Sequence, residues 1–253
     1  MERQILEKSA GGLRILNRDV IKYIAMFTML LNHVGHIFLT RGTPAYEILE
    51  DIGVFTAPVM CYFLVEGYGY TRSKLRYGLR LLLFAVISQL PFQLAFGYQA
   101  LNMIYTLLCC FLILVVMERV SSPLLQITLC VLLTVATGIG DWPVVAPILT
   151  IMLANGMGNR KKLACGFGAT YVFFAILNTQ NYMIGEQGDW TIYAVGHAAL
   201  SGLGILVAGV AVLFFYNGER AQKGKNFAKW FFYIFYPAHL LVLYLIKMSL
   251  HNT

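Results

Sequence analysis

The chain has 253 residues, 58% of them apolar and only 12% charged, with a mean hydropathy of +0.68. That is about half the usual charged share, and it excludes a disordered chain, a collagen-like chain and an ordinary soluble enzyme. The net charge of +7 belongs to no basic patch on a soluble domain, so nucleic acid is not an expected partner and a polytopic membrane protein remains.

Residues 1–18 are polar and charged, with no apolar core ahead of a small-residue cleavage site. They read as a cytoplasmic leader and not as a cleavable signal peptide. Residues 19–253 read as one membrane domain, without internal repeat or Pro- or Ser-rich linker. Crossing ~30 Å of hydrocarbon takes roughly 20 apolar residues. Nine such stretches follow in order, at about 20–40, 52–71, 77–97, 101–118, 123–139, 143–158, 163–180, 191–216 and 229–249. The fifth and sixth are short enough for a tilted or re-entrant hairpin. With a cytoplasmic N-terminus and an external C-terminus, Arg41 and Lys247 alone fall outside, and the other 17 of the 19 basic residues fall inside. Basic residues are retained on the cytoplasmic side during insertion, so this split supports both the count and the orientation. The expected fold is an all-α transmembrane bundle.

Polar groups inside lipid cost about 2.5–3.5 kcal/mol when charged, and so mark places to look for function. The first stretch carries Asn32, His33 and His36. His33 lies ~16 Å beyond Lys22 at 1.5 Å per residue, near the midplane, and His36 shares its face. Glu66 lies near the cytoplasmic end of the second stretch, Gln89 and Gln93 flank Pro91 in the third, and Asn102 opens the fourth. His197 lies in the eighth stretch, and Tyr236 and His239 in the ninth. A bland reading stands beside each: interhelical hydrogen bonding for the histidines, packing glue for the amides, a structural hydrogen bond for Glu66. A metal site is not expected, because the histidines lack ligand spacing and carboxylates at matching depth. The five cysteines all lie within stretches and read as apolar filler. After Glu66, Arg72, Arg76 and Arg80 step by four around Tyr77. On a helix they would form a stripe suited to phosphate, although topology alone also requires basic residues here.

The order of these blocks resembles TraX-type membrane proteins. The carriers are Leu16 to Met26 running into Asn32-His33-Val34-Gly35, and Pro58 to Tyr68 followed by Thr71-Arg72. Further along come Ala85 to Phe92, Asn102 to Leu107, and Phe235-Tyr236-Pro237-Ala238-His239-Leu240. Residues 120–190 carry little of the resemblance. It implies a multi-pass protein of the bacterial plasma membrane: TraX-type proteins include the pilin N-acetylase of conjugative plasmids and are similar to the wider group of integral acyltransferases. The co-substrate would be acyl-CoA, acetyl-CoA first, and the acceptor a protein N-terminus, surface glycan or lipid. Carried onto this sequence, His33 becomes the leading catalytic candidate, as base or as transient acyl carrier, with Asn32, Glu66 and His239 supporting. Arg72, Arg76, Arg80 and Tyr77 would hold the CoA phosphates, and His36, Gln89, Gln93, Asn102, His197 and Tyr236 would line the cavity. Asn32 departs from the family's Asp and supplies no charge to the ring beside it. Two other functions fit the same polar cluster: a transporter, or a non-catalytic assembly protein.

Overall fold

In the computed structural model, residues 14–97, 99–185, 192–222 and 224–251 are described. Residues 1–13 of the expected leader, together with Lys223 of the basic residues counted inside, lie outside them. Among the described residues the protein is helical, with only isolated β-bridges between Leu16 and Tyr216 and between Leu101 and Gly140. The helices are α1 (Arg18–Phe38), α2 (Pro44–Gly53), α3 (Thr56–Tyr70), α4 (Lys74–Phe96), α5 (Met103–Arg119) and α6 (Pro123–Ala136). They continue with α7 (Val145–Gly156), α8 (Arg160–Gly185), α9 (Ile192–Ser201), α10 (Leu203–Val210) and α11 (Lys225–His251).

Polar residues at the ends set where these helices begin. Asn17 Oδ1 accepts the backbone N–H groups of Asp19 and Val20, each at 3.0 Å, and so starts α1. Ser73 caps α4 and Asn102 caps α5 in the same way, each satisfying donors that the first helical turn leaves open. Gly97 ends α4 with a left-handed φ of +76°, a conformation cheap only without a Cβ.

Among the described residues, six segments are long and apolar enough to cross a membrane: Arg18–Phe38, Pro44–Tyr70, Lys74–Phe96, Arg160–Gln180, Ala194–Phe215 and Trp230–Leu250. The other three stretches form α5, α6 and α7, of 17, 14 and 12 residues. At 1.5 Å per residue these rise only ~26, ~21 and ~18 Å, less than a hydrocarbon core.

Helix α3 is the centre of the packing and touches α1, α5, α7 and α10. Its sequence is apolar on all sides, and Val59 and Cys61 through Glu66 are buried. Helix α6, by contrast, buries none of its residues. Its exposed leucines, isoleucine and valines form the kind of surface that lipid, not water, covers. At the junction of α2 and α3, Gly204 of α10 comes so close that a Cβ on it would lie 2.6 Å from the Phe55 backbone nitrogen. A short backbone clamp joins the segment just before α1 to the end of α10's extension: Leu16 N–H donates to Phe215 O at 3.0 Å, and Asn217 N–H to Leu16 O at 2.9 Å. This clamp brings the segment around Tyr216 to Arg220 beside the first turn of α1.

Candidate functional site

Two polar clusters are assembled, at different heights along α1. The first joins the histidines of α1 and α11. His33 Nδ1 lies 2.8 Å from His239 Nε2, and the two buried rings stack within 10° of parallel. His239 Nδ1 lies 2.7 Å from the Phe235 carbonyl. A carbonyl only accepts, so Nδ1 carries the proton and donates. In a neutral ring Nε2 then accepts from His33 Nδ1–H, and the lone pair of His33 falls on Nε2. Phe96 meets His33 edge-on at 5.1 Å, and Tyr236 at 6.3 Å. Asn32 does not join this pair. Its amide turns to α2, donates to the Glu50 carbonyl at 3.3 Å and packs where Gly53 has no Cβ. The expected help from Asn32 to the ring is therefore replaced by a ring-to-ring bond, while Asn32 holds two helices together.

The second cluster lines a cavity of about 880 Å³. Glu66 lies here, buried, with Tyr216 Oη–H donating to its Oε1 at 2.9 Å and Arg18 Nη1 3.8 Å from its Oε2. Arg18 precedes His33 by fifteen residues on one straight element, or ~22 Å of rise. The expected joint role of Glu66 with His33 is thus not what the fold builds, because the carboxylate belongs to the other end of α1. Four cations face the cavity: Arg18, Lys22, Arg80 and Arg220. Asp19 and Glu66 supply the carboxylates, and Asp19 Oδ2 already accepts the Ala221 N–H at 3.0 Å.

The predicted phosphate ladder is divided. Arg72 lies in the loop before α4 and not on its helix, and both it and Arg76 are exposed. Only Arg80 and Tyr77 line the cavity, with the guanidinium 5.7 Å from the centre of the Tyr77 ring. Sequence reading did not single out Arg18, Lys22, Arg220 or Tyr216. The signal available was a basic turn at the cytoplasmic end of α1, which topology alone also demands.

The remaining predicted residues have structural partners. Gln89 donates to Ala100 O at 2.7 Å and accepts from Asn102 Nδ2 at 2.8 Å, while Asn102, fully buried, also donates to Ala85 O at 2.7 Å. This network ties α4 to the start of α5. Gln93 is half-buried one turn further along α4. His36 Nδ1 lies 2.9 Å from the Tyr46 hydroxyl. His197 is half-buried on α9, away from the paired histidines in the packing order. Tyr236 touches both clusters. Its hydroxyl accepts the Met103 N–H at 3.3 Å at the cavity, and its ring edge meets His239. Among the described residues no group of three or more His, Cys, Asp or Glu is placed to hold a metal.

The model of the TraX protein family matches residues 17–247. The chain belongs to the TraX family. It is also 34% identical over 254 residues to a probable fimbrial assembly protein FimC, serogroup H1, of Dichelobacter nodosus, across 91% of this chain and 95% of that protein. No solved structure matches it. These relationships correct the acyltransferase expectation: the TraX-family kinship is with a protein named for fimbrial assembly. The geometry explains why that expectation arose. The residues assigned to one acyl-transfer centre have the right types, but this TraX-family protein distributes them over two clusters and several helix joints.

Proposed function

We propose that this protein is a multi-pass factor of the bacterial plasma membrane that serves pilus assembly by binding, without acyl transfer. The supporting observation is the relationship to the fimbrial assembly protein, which runs nearly the full length of both chains. A likeness of that extent includes the helices that build the two polar clusters as well as a local motif. The arrangement proposed in the membrane has nine spans, the N-terminus in the cytoplasm and the C-terminus outside. Of the helices too short to cross alone, α5 and α7 pack on each other and on α3, and α6 packs on α5. The cavity then opens at the cytoplasmic end of α1, where Arg18 and Lys22 lie.

Deleting the gene in its own host and counting surface pili by electron microscopy tests the assembly role. The expected result is a loss of pili that a plasmid copy restores. Normal piliation in the deletion strain would overturn the reading.

A further inference from the structure

The cavity at the cytoplasmic end of α1 combines two features that the assembly reading does not explain. Its rim is cationic and its depth is apolar. At the rim, Arg18, Lys22, Arg80 and Arg220 stand against two carboxylates. Of these four cations, only Arg18 has a carboxylate within 4 Å among the described residues, at 3.8 Å from Glu66. Lys22 Nζ instead lies 4.3 Å above the Phe232 ring. The Nε groups of Arg18 and Arg80 are buried and find no hydrogen-bond acceptor among the described residues. A buried guanidinium N–H without an acceptor costs more than an ordinary lost hydrogen bond. Two such donors at one rim leave room for an anion.

The depth is different in kind. Met26, Met29, Met60 and Met103 line it with Leu64 and Leu107. Along α1 the lining runs from Arg18 to Met29, which is ~16 Å of rise, and along α3 from Tyr70 back to Thr56, which is ~21 Å. A volume of about 880 Å³ lies within the ~300–1,000 Å³ of ordinary ligand sites. Methionines adapt to a flexible apolar chain better than branched side chains do. A free inorganic ion would satisfy the rim and leave this chamber empty. A neutral lipid would fill the chamber and leave the guanidinium donors unanswered.

We propose that this cavity binds a phosphate-bearing membrane lipid. Its phosphate sits among Arg18, Arg80 and Arg220, and its acyl chain lies along the methionines of α1, α3 and α5. The guanidinium fork matches phosphate oxygens in pairs, which a single ammonium does not. Glu66 stays tied to Tyr216 and keeps Arg18 turned to the rim. The binding stands apart from the assembly role: a chain that fails to support pili can still bind the lipid, and the reverse.

The test uses the full chain in neutral detergent and follows its melting temperature, which a ligand of the native state raises by mass action. Dioctanoyl phosphatidic acid should raise it saturably. Dioctanoylglycerol should leave it unchanged, and inorganic phosphate should act only at roughly a hundredfold higher concentration. The Arg80→Gln, Arg220→Gln double variant should bind the phosphatidic acid at least tenfold more weakly. Met60→Trp fills the chamber and should remove the response to phosphatidic acid while the response to inorganic phosphate persists. An equal shift by dioctanoylglycerol would overturn the phosphate assignment. An equal shift by inorganic phosphate at matched concentration would make the site a simple anion site. If the double variant does not fold, an unchanged phosphatidic acid response in Met60→Trp would overturn the proposal by itself.

Discussion

His33 and His239 are 206 positions apart in sequence and share one hydrogen bond in a buried place. Each satisfies the polar atom that the other would otherwise leave open. Truncating either one therefore costs the bond and strands its partner, about 1–3 kcal/mol in total. Truncating both removes the stranded atom as well. Chemical denaturation in mixed micelles of His33→Ala, His239→Ala and the double variant should give a double-variant loss clearly smaller than the two single losses added. Simple additivity would show that the rings do not depend on each other. Asn32 illustrates the opposite lesson about single residues. It is adjacent to His33 in sequence, yet neighbouring positions on a helix face apart by about 100°, so its amide serves α2 and not the imidazole.

At the scale of elements, the packing depends on missing side chains as much as on present ones. Helix α3 is buried between four neighbours, and α10 reaches it only because Gly204 has no Cβ. The nearest atom to such a Cβ would be backbone, the Phe55 nitrogen at 2.6 Å. Backbone does not rotate away as a long side chain would. Gly204→Ala should therefore destabilise the protein by about 1–3 kcal/mol, the cost of overpacking, visible as a lower melting temperature in detergent. An alanine at Gly196, where nothing lies within 4 Å, is the control and should be nearly silent. Equal melting of the two variants would count against the close approach of α10 to α3. The short helices α6 and α7 are the element-level counterpart of the short fifth and sixth stretches in the sequence. Their lengths are set by Pro123 at the start of α6 and by the turn from Thr137 through Asp141, pinned where Leu101 N–H donates to Ile139 O at 2.8 Å.

For the whole molecule, the proposed orientation rests on the distribution of charge. In the proposed arrangement of nine alternating spans, seventeen of the 19 basic residues fall on one side, and the cationic rim of the cavity would lie on that same side. Thr40 and Ser121 are exposed at opposite ends of helices. In a Cys165→Ser background, which removes the exposed native thiol, Thr40→Cys should react with a membrane-impermeant maleimide in intact cells. Ser121→Cys should react only after the membrane is opened. The reverse pattern would invert the topology and place the lipid-phosphate rim outside.

Much of this molecule was legible in its sequence. Apolar runs of roughly 20 residues can satisfy their backbone in lipid only as helices, so all nine stretches fall on helices. Buried polar groups are expensive there, so His33, Glu66, Asn102 and His239 stood out before their partners were known, and all four are buried. What tertiary structure alone decided is which of them meet. Hydropathy and period are properties of one helix at a time, whereas partnership depends on how helices cross. Glu66 found Arg18 and Tyr216 instead of the arginines that follow it in sequence, and His33 found His239 instead of Asn32. The cavity was hidden for a further reason. Arg18 and Lys22 serve insertion topology and ligand binding with the same charge, and only their convergence with Arg80 and Arg220 on one chamber separates the second role from the first.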